Sequence, residues 1–159
     1  MKWLTPLLGV TVIKDHQSAK RPSLPYAVLD LANFRDLYQQ PRDILYGQLT
    51  TLNTEGEPEV EAVPDLEVEW VFMLMTYGPG CADRLRRLQS AVHLTQINEP
   101  LLPHLVVHEV GSVNTVPELI GERWEDRAQV NITVRGTTSD GFKVDVINEP
   151  NIIITGERA

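Results

Sequence analysis

His104 and His108, with Glu109 beside the second, are the first residues whose types and spacing could do chemistry. Four apart on a helix, two imidazoles share a face and can hold a metal. Val106 and Val107 between them favour a strand, where such positions lie about 13 Å apart, too far to share one zinc. His93, on the far side of Pro100, adds no recognisable spacing, so the expectation is an exposed strand face. Cys81 follows Gly80 near a helix start, where a thiol can become reactive. No histidine is placed by local sequence to serve as its base, and Cys81 falls on an apolar stripe, which reads as a small buried residue. Gly78-Pro79-Gly80 lacks the Lys-Ser/Thr of a phosphate loop and the three-glycine spacing of a dinucleotide site. Glu55, Glu57, Glu59, Glu61 and Asp65 are numerous enough for calcium but miss the spacing of a calcium loop. Arg84, Arg86 and Arg87 read as a solvated helix face. No catalytic constellation, metal site or cofactor is expected.

The elements that would position these residues belong to an ordinary globular chain. It has 159 residues and 17.9 kDa, with 42% hydrophobic and 23% charged residues, which fits one domain over residues 1–159. One cysteine excludes an intrachain disulfide framework. No apolar run approaches the roughly 20 residues of a membrane span, and the first residues do not read as a secretory signal, so the expectation is a soluble protein of the cytoplasm. Fourteen Lys and Arg against 22 Asp and Glu give a net charge of −8. Such a chain is a poor sequence-independent binder of nucleic acid or of an anionic membrane, because it lacks the cations that displace phosphate counterions.

Pattern along the chain predicts strands more than helices. A short apolar piece around Trp3–Leu8 ends at Gly9, and a strand follows over Val10–Ile13. Tyr26–Leu31 and Ile44–Leu52 are the next strand candidates. The acidic stretch Asn53–Asp65, with Gly56, Pro58 and Pro64, reads as a loop or hairpin tip held open by its own charge. Leu66–Met75 alternates and becomes apolar on both faces, as a central strand does. Tyr77-Gly78-Pro79-Gly80 ends it and launches a helix from Cys81 to about Leu94, with Cys81, Leu85, Leu88 and Val92 in one stripe. Leu105–Val110 is a strand, and Val116–Arg123 is ambiguous. Ala128–Val134 alternates strictly, Ser139-Asp140-Gly141 predicts a turn, and Phe142–Val146 a returning strand. Ile152, Ile153 and Ile154 form an apolar strand near residues 151–155 that could join subunits. The fold class is α+β, a mostly antiparallel β-sheet with one main amphipathic helix packed on one face.

Three pieces in this order carry a resemblance. Arg21-Pro22 is followed by Pro25-Tyr26 entering a strand. A long strand closes in Tyr77-Gly78 before the amphipathic helix. Trp124-Glu125-Asp126-Arg127-Ala128 leads into an alternating strand. The set, spanning roughly Val10 to Val134, resembles the neck terminator or tail terminator proteins of tailed bacteriophages, particularly those with contractile tails. The resemblance implies a non-enzymatic virion protein in a hexameric ring that caps the tail and ends tube and sheath growth. Its partners would be the tail tube protein, the tail sheath protein and the head connector, with DNA passing through the lumen without specific binding and no membrane contact. Such a protein assembles in the host cytoplasm and ends in the virion neck. The N-terminal helix is shorter than in that pattern and the acidic excursion longer. Tyr26 and Trp124 are expected as packing anchors, Arg21 and Arg127 as partners of local carboxylates, and Glu55–Asp65 as lining the lumen or docking on a partner. Two alternatives remain open: another head–tail adaptor or completion protein, and a small enzyme using Cys81 or His104 and His108.

Overall fold

The computed structural model describes residues 1–16, 21–54, 56–120 and 122–145. Their order is α1 (Leu4–Leu8), β1 (Thr11–Lys14), β2 (Tyr26–Asp36), β3 (Asp43–Leu52), β4 (Pro58–Tyr77), α2 (Cys81–Ala91), α3 (Thr95–Asn98) and a 3-10 turn (Glu99–Leu101). The chain continues through β5 (Leu105–Val110), β6 (Asn114–Thr115), β7 (Glu118–Ile120), β8 (Arg123–Glu125), β9 (Arg127–Ser139) and β10 (Phe142–Val144). Strands dominate and their pairings are mostly antiparallel, an α+β fold. The strand expected at Ile152–Ile154 lies outside the described residues, as does Val146 of the expected returning strand. So does Glu55. Among the described residues no helix is long and apolar enough to cross a membrane.

Two compact units divide the chain, and β4 contributes to both. The first comprises Met1–Gln40 and Glu67–Thr138. Its sheet has the order β1-β2-β4-β9-β5, with β1 parallel to β2 and β2 antiparallel to β4. A bulge between Leu31 and Asn33 shifts the β2 register. Alternation sorts Ala27, Leu74, Ala128, Val130 and Ile132 onto one face, where they bury against Leu4 and Leu8 of α1 and Cys81, Leu85 and Leu88 of α2. Helix α2 ends at Ala91, short of the expected Leu94; Val92 takes the C-cap position. Tyr26, Val28, Met75 and Tyr77 form a second buried cluster on the other face. Val116–Arg123, ambiguous in sequence, contributes β7 and the first residue of β8, a two-stranded ribbon.

The second unit takes Pro41–Leu66 and the described residues from Ser139 onward. Here two expectations are corrected. Of the loop or hairpin tip expected over Asn53–Asp65, the hairpin is what forms, but its tip is short: from Pro58 the stretch is strand, paired antiparallel with β3 from Leu52 opposite Pro58 to Asp43 opposite Asp65. The reason is period two. Glu57, Glu59 and Glu61 alternate with Pro58, Val60 and Ala62, which separates charge from apolar surface across a pleat. The second correction concerns Ser139-Asp140-Gly141, which does not return the chain along β9. Phe142–Val144 pairs with β4 instead, Phe142 opposite Ala62 and Val144 opposite Val60. Since β3 pairs the same β4 residues, β3 and β10 occupy the two edges of this stretch of β4, a three-stranded part of the eight-stranded sheet.

Candidate functional site

The three motif pieces, far apart in sequence, converge in the first unit. Tyr26 opens β2 and lies opposite Tyr77, the last residue of β4. Their rings stack with centroids 4.8 Å apart and planes 12° from parallel. Arg127 opens β9, and its guanidinium carbon sits 5.5 Å from the centre of the Tyr77 ring, a cation–π contact. Arg127 Nη1 pairs with Glu118 at 3.2 Å, and Nη2 donates to Met75 Sδ at 2.8 Å. Gly78 has φ of 89°, and a Cβ there would lie 3.3 Å from Leu24 and 3.4 Å from Pro25. Its amide donates to the Asp126 carbonyl at 2.8 Å, tying the end of β4 to the start of β9. Burial pushes both phenols above their ordinary pKa, while Arg21 pulls Tyr26 down and Arg127 pulls Tyr77 down.

Trp124 differs from expectation. It stands 71% exposed, opposite the exposed Leu119 across the β7–β8 ribbon, and is not a packing anchor. A two-stranded ribbon presents such a face unless another element covers it. Glu125 lies opposite Glu118 in the same ribbon, Pro22 is half-buried, and Arg21 is exposed.

Sequence pattern did not reveal Glu69. It is 4% exposed, on β4, between Arg35 of β2 and Arg135 of β9. Arg35 Nη2 approaches Oε1 at 2.6 Å and Arg135 Nε donates to Oε2 at 2.9 Å. Arg135 first, with Arg35, holds the carboxyl below the usual range against the opposing effect of burial. A polar residue in an alternating strand signals a solvent face. Only pairing shows that two cations flank it.

Of the candidate chemical groups, His93, His108 and Glu109 line one groove between α2 and β5. Cys81 is buried in the α1–α2 core, its carbonyl accepting from Thr76 Oγ1 at 3.0 Å. His104 and His108 are exposed, the second within β5. Asp15, His16 and Asp30 bring potential metal-ligand atoms within 4.8 Å of one another, an arrangement that exposed side chains also adopt without an ion.

In the second unit Glu59 accepts from Lys143 Nζ at 2.6 Å and from Thr51 Oγ1, and Lys143 first holds its carboxyl below the usual range. Asp65 pairs with Arg42. These acids brace their own sheet, while Glu57 stays exposed. On the opposite face Tyr46, Ala62 and Phe142 form one cross-strand row, with Tyr46 67% and Phe142 59% exposed. The arrangement is that of a braced scaffold with bare apolar surfaces.

A family model described as phage neck terminator protein matches residues 1–157. The chain belongs to this family. No curated protein matches the chain. A neck terminator is a structural component of the bacteriophage tail and neck, and the match takes in both compact units. Within that frame the Tyr26–Tyr77–Arg127 cluster joins strand ends and Glu69 crosslinks three strands. Trp124 with Leu119, and Tyr46 with Phe142, are exposed apolar pairs on the surface.

Proposed function

We propose that this neck terminator forms a closed ring of six that caps the finished tail tube. The ring ends tube and sheath growth and presents its other side to the head connector. DNA passes through the lumen without specific binding. The observation that carries this reading is the family match over residues 1–157. Two features support it. Bare apolar side chains on the three-stranded sheet and on the β7–β8 ribbon suit an assembling protein better than a solitary one. The net charge of −8 per chain, repeated around a ring, keeps phosphates from adhering where DNA must slide.

Ile152, Ile153 and Ile154 contribute in this proposal to joining subunits, as an apolar strand does at a neighbour's sheet edge. The experiment is deletion of the gene from its phage. Separate filled heads and tails of irregular length are expected by electron microscopy; joined particles of normal length would overturn the reading.

A further inference from the structure

Strand β5 ends the strand order of the main sheet, and among the described residues it pairs with β9 alone. Its first half, Leu105-Val106-Val107, is apolar and in regular register; the bulge comes after Val107. Edge strands are usually blunted by charge, a bulge or a covering element, because their free N–H and C=O groups pair with any strand that arrives. Strand β1, at the other end of the order, closes on the exposed Lys14, whereas Leu105–Val107 carries no charge.

Open space adjoins both faces of β5. On one face Leu105, Val107 and Val110 are half-buried and pack against the main core. Between α2 and β5 a groove of about 670 Å³ is lined by Val92, Val107 and Val110 together with Gln89, Ser90 and His108. On the other face Val106 is 52% exposed. It borders a hollow of about 270 Å³ with Leu37, Tyr38 and Pro103, and with the charged Glu67 and Arg135. A strand suited to this edge is apolar on both faces for three residues and polar beyond them, where His104 and His108 are exposed.

One segment outside the described residues has this pattern. Ile152-Ile153-Ile154 is a run of three β-branched residues bounded by Asn151 and Thr155. Unbroken apolar runs mark strands covered on both faces. The run falls within the residues 1–157 that match the neck terminator family, so it belongs to that domain and is no appendage.

We infer that Ile152–Ile154 of one copy pairs with the β5 edge at Leu105–Val107 of the next. Ile153, the middle residue, lies opposite Val106 whichever way the strand runs. Ile152 and Ile154 turn to the groove beside α2, and Asn151 and Thr155 come level with His104 and His108. The inference rests on the ring reading and deepens it by naming the edge that receives the strand. Main-chain hydrogen bonds supply the affinity, and alternate side chains set the register. Donor and receiver are different parts of one chain, so the contact is heterologous and repeats head to tail, the geometry that closes into a ring.

The test is a cysteine pair in the full chain, Val106→Cys with Ile153→Cys, oxidised free and on isolated tails and read by non-reducing gels and mass spectrometry. Opposed strand residues have Cα atoms about 4.5–5.5 Å apart, within the span of a disulfide. The native Cys81 is buried. Covalent species of up to six chains are expected, and mixing isotope-labelled with unlabelled protein should show the link joining different copies. Lys14→Cys with Ile153→Cys should give no such species. Val106→Lys places a charge on the edge and should weaken assembly roughly 30-fold or more. Because Val106 is exposed in the single chain, the melting temperature should move by only about 2–4 °C. A Val106–Ile153 link confined to single chains would overturn the inference while leaving the ring reading intact. So would rings that form without that link, or a link formed by the Lys14 pair instead. A wild-type chain that remains monomeric even on tail ends would defeat the ring reading, and this inference with it.

Discussion

Replacing Tyr77 with Ala removes the centre of the cluster that joins β2, β4 and β9. Tyr77 is 6% exposed, stacks on Tyr26 at 4.8 Å and lies under the Arg127 guanidinium. Truncating a buried aromatic costs about 3–5 kcal/mol, which includes the vacated space. Stacking accounts for roughly 0.5–1.5 kcal/mol of that, so a double-mutant cycle with Tyr26→Ala should show coupling near 1 kcal/mol. For a chain of this length about 4 kcal/mol lowers the melting temperature by roughly 8–16 °C. Tyr77→Phe keeps the ring and loses a hydroxyl whose contact is Met75 Sδ at 3.8 Å, so it should cost under about 1 kcal/mol. The phenol also carries a pH signature. Its pKa is raised on folding by burial, so its contribution is complete below the unfolded value near 10 and is lost as pH rises through the folded value. Tyr77→Phe should flatten that alkaline decline. The assay is urea and thermal unfolding by circular dichroism between pH 7 and 11. A loss below about 1 kcal/mol for Tyr77→Ala, or no coupling to Tyr26, would refute the view that the motif residues brace strand ends.

Glu69→Gln should lessen the dependence of stability on acid pH. The folded carboxyl is held low by Arg135 and Arg35, so its stabilisation is present above the unfolded value near 4.3 and disappears as pH falls through the folded value. Melting curves from pH 3 to 7 check this; an unchanged acid limb would contradict the clamp. Gly136→Ala would place a Cβ 2.5 Å from the His104 carbonyl and 2.9 Å from Leu105 Cδ2. It should cost about 1–3 kcal/mol and deprotect β5 amides in hydrogen exchange, whereas Gly47→Ala on β3, with nothing within 4 Å, should change little. Deleting Asn151 to Ala159 should reduce ring formation more than thermal stability; equal losses would place Ile152–Ile154 in the chain's own fold.

Period-two patterning made most of the architecture legible. Ala128, Val130, Ile132 and Val134 all turn to the main core, and Cys81, Leu85 and Leu88 mark the buried stripe of α2. Where sequence and structure differ, composition competes with alternation or local chemistry with long-range pairing. Glutamates and prolines from Asn53 to Asp65 point to a loop or a hairpin tip, while Val60 and Ala62 between the acids carry the apolar face of a strand that extends the hairpin. Asp140-Gly141 resembled a turn because turn chemistry is local, while the choice of β4 over β9 as the partner of Phe142 depends on long-range pairing. Tyr26, Tyr77 and Arg127 stand far apart in sequence, and the stacking of the two rings needs the β2–β4 register. Glu69 had no local mark, since its partners lie 34 and 66 residues away.

The central claim is that this chain is a ring on the tail end. Its most direct test is to add purified protein to polymerising tail tube subunits and to image the tube ends while weighing the bound species. Six copies of 17.9 kDa make an assembly of about 107 kDa (6 × 17.9), and the account predicts that mass, a ring on one end of each tube, and tubes that stop lengthening. Tubes that grow unchecked with bare ends in an excess of the protein would contradict it.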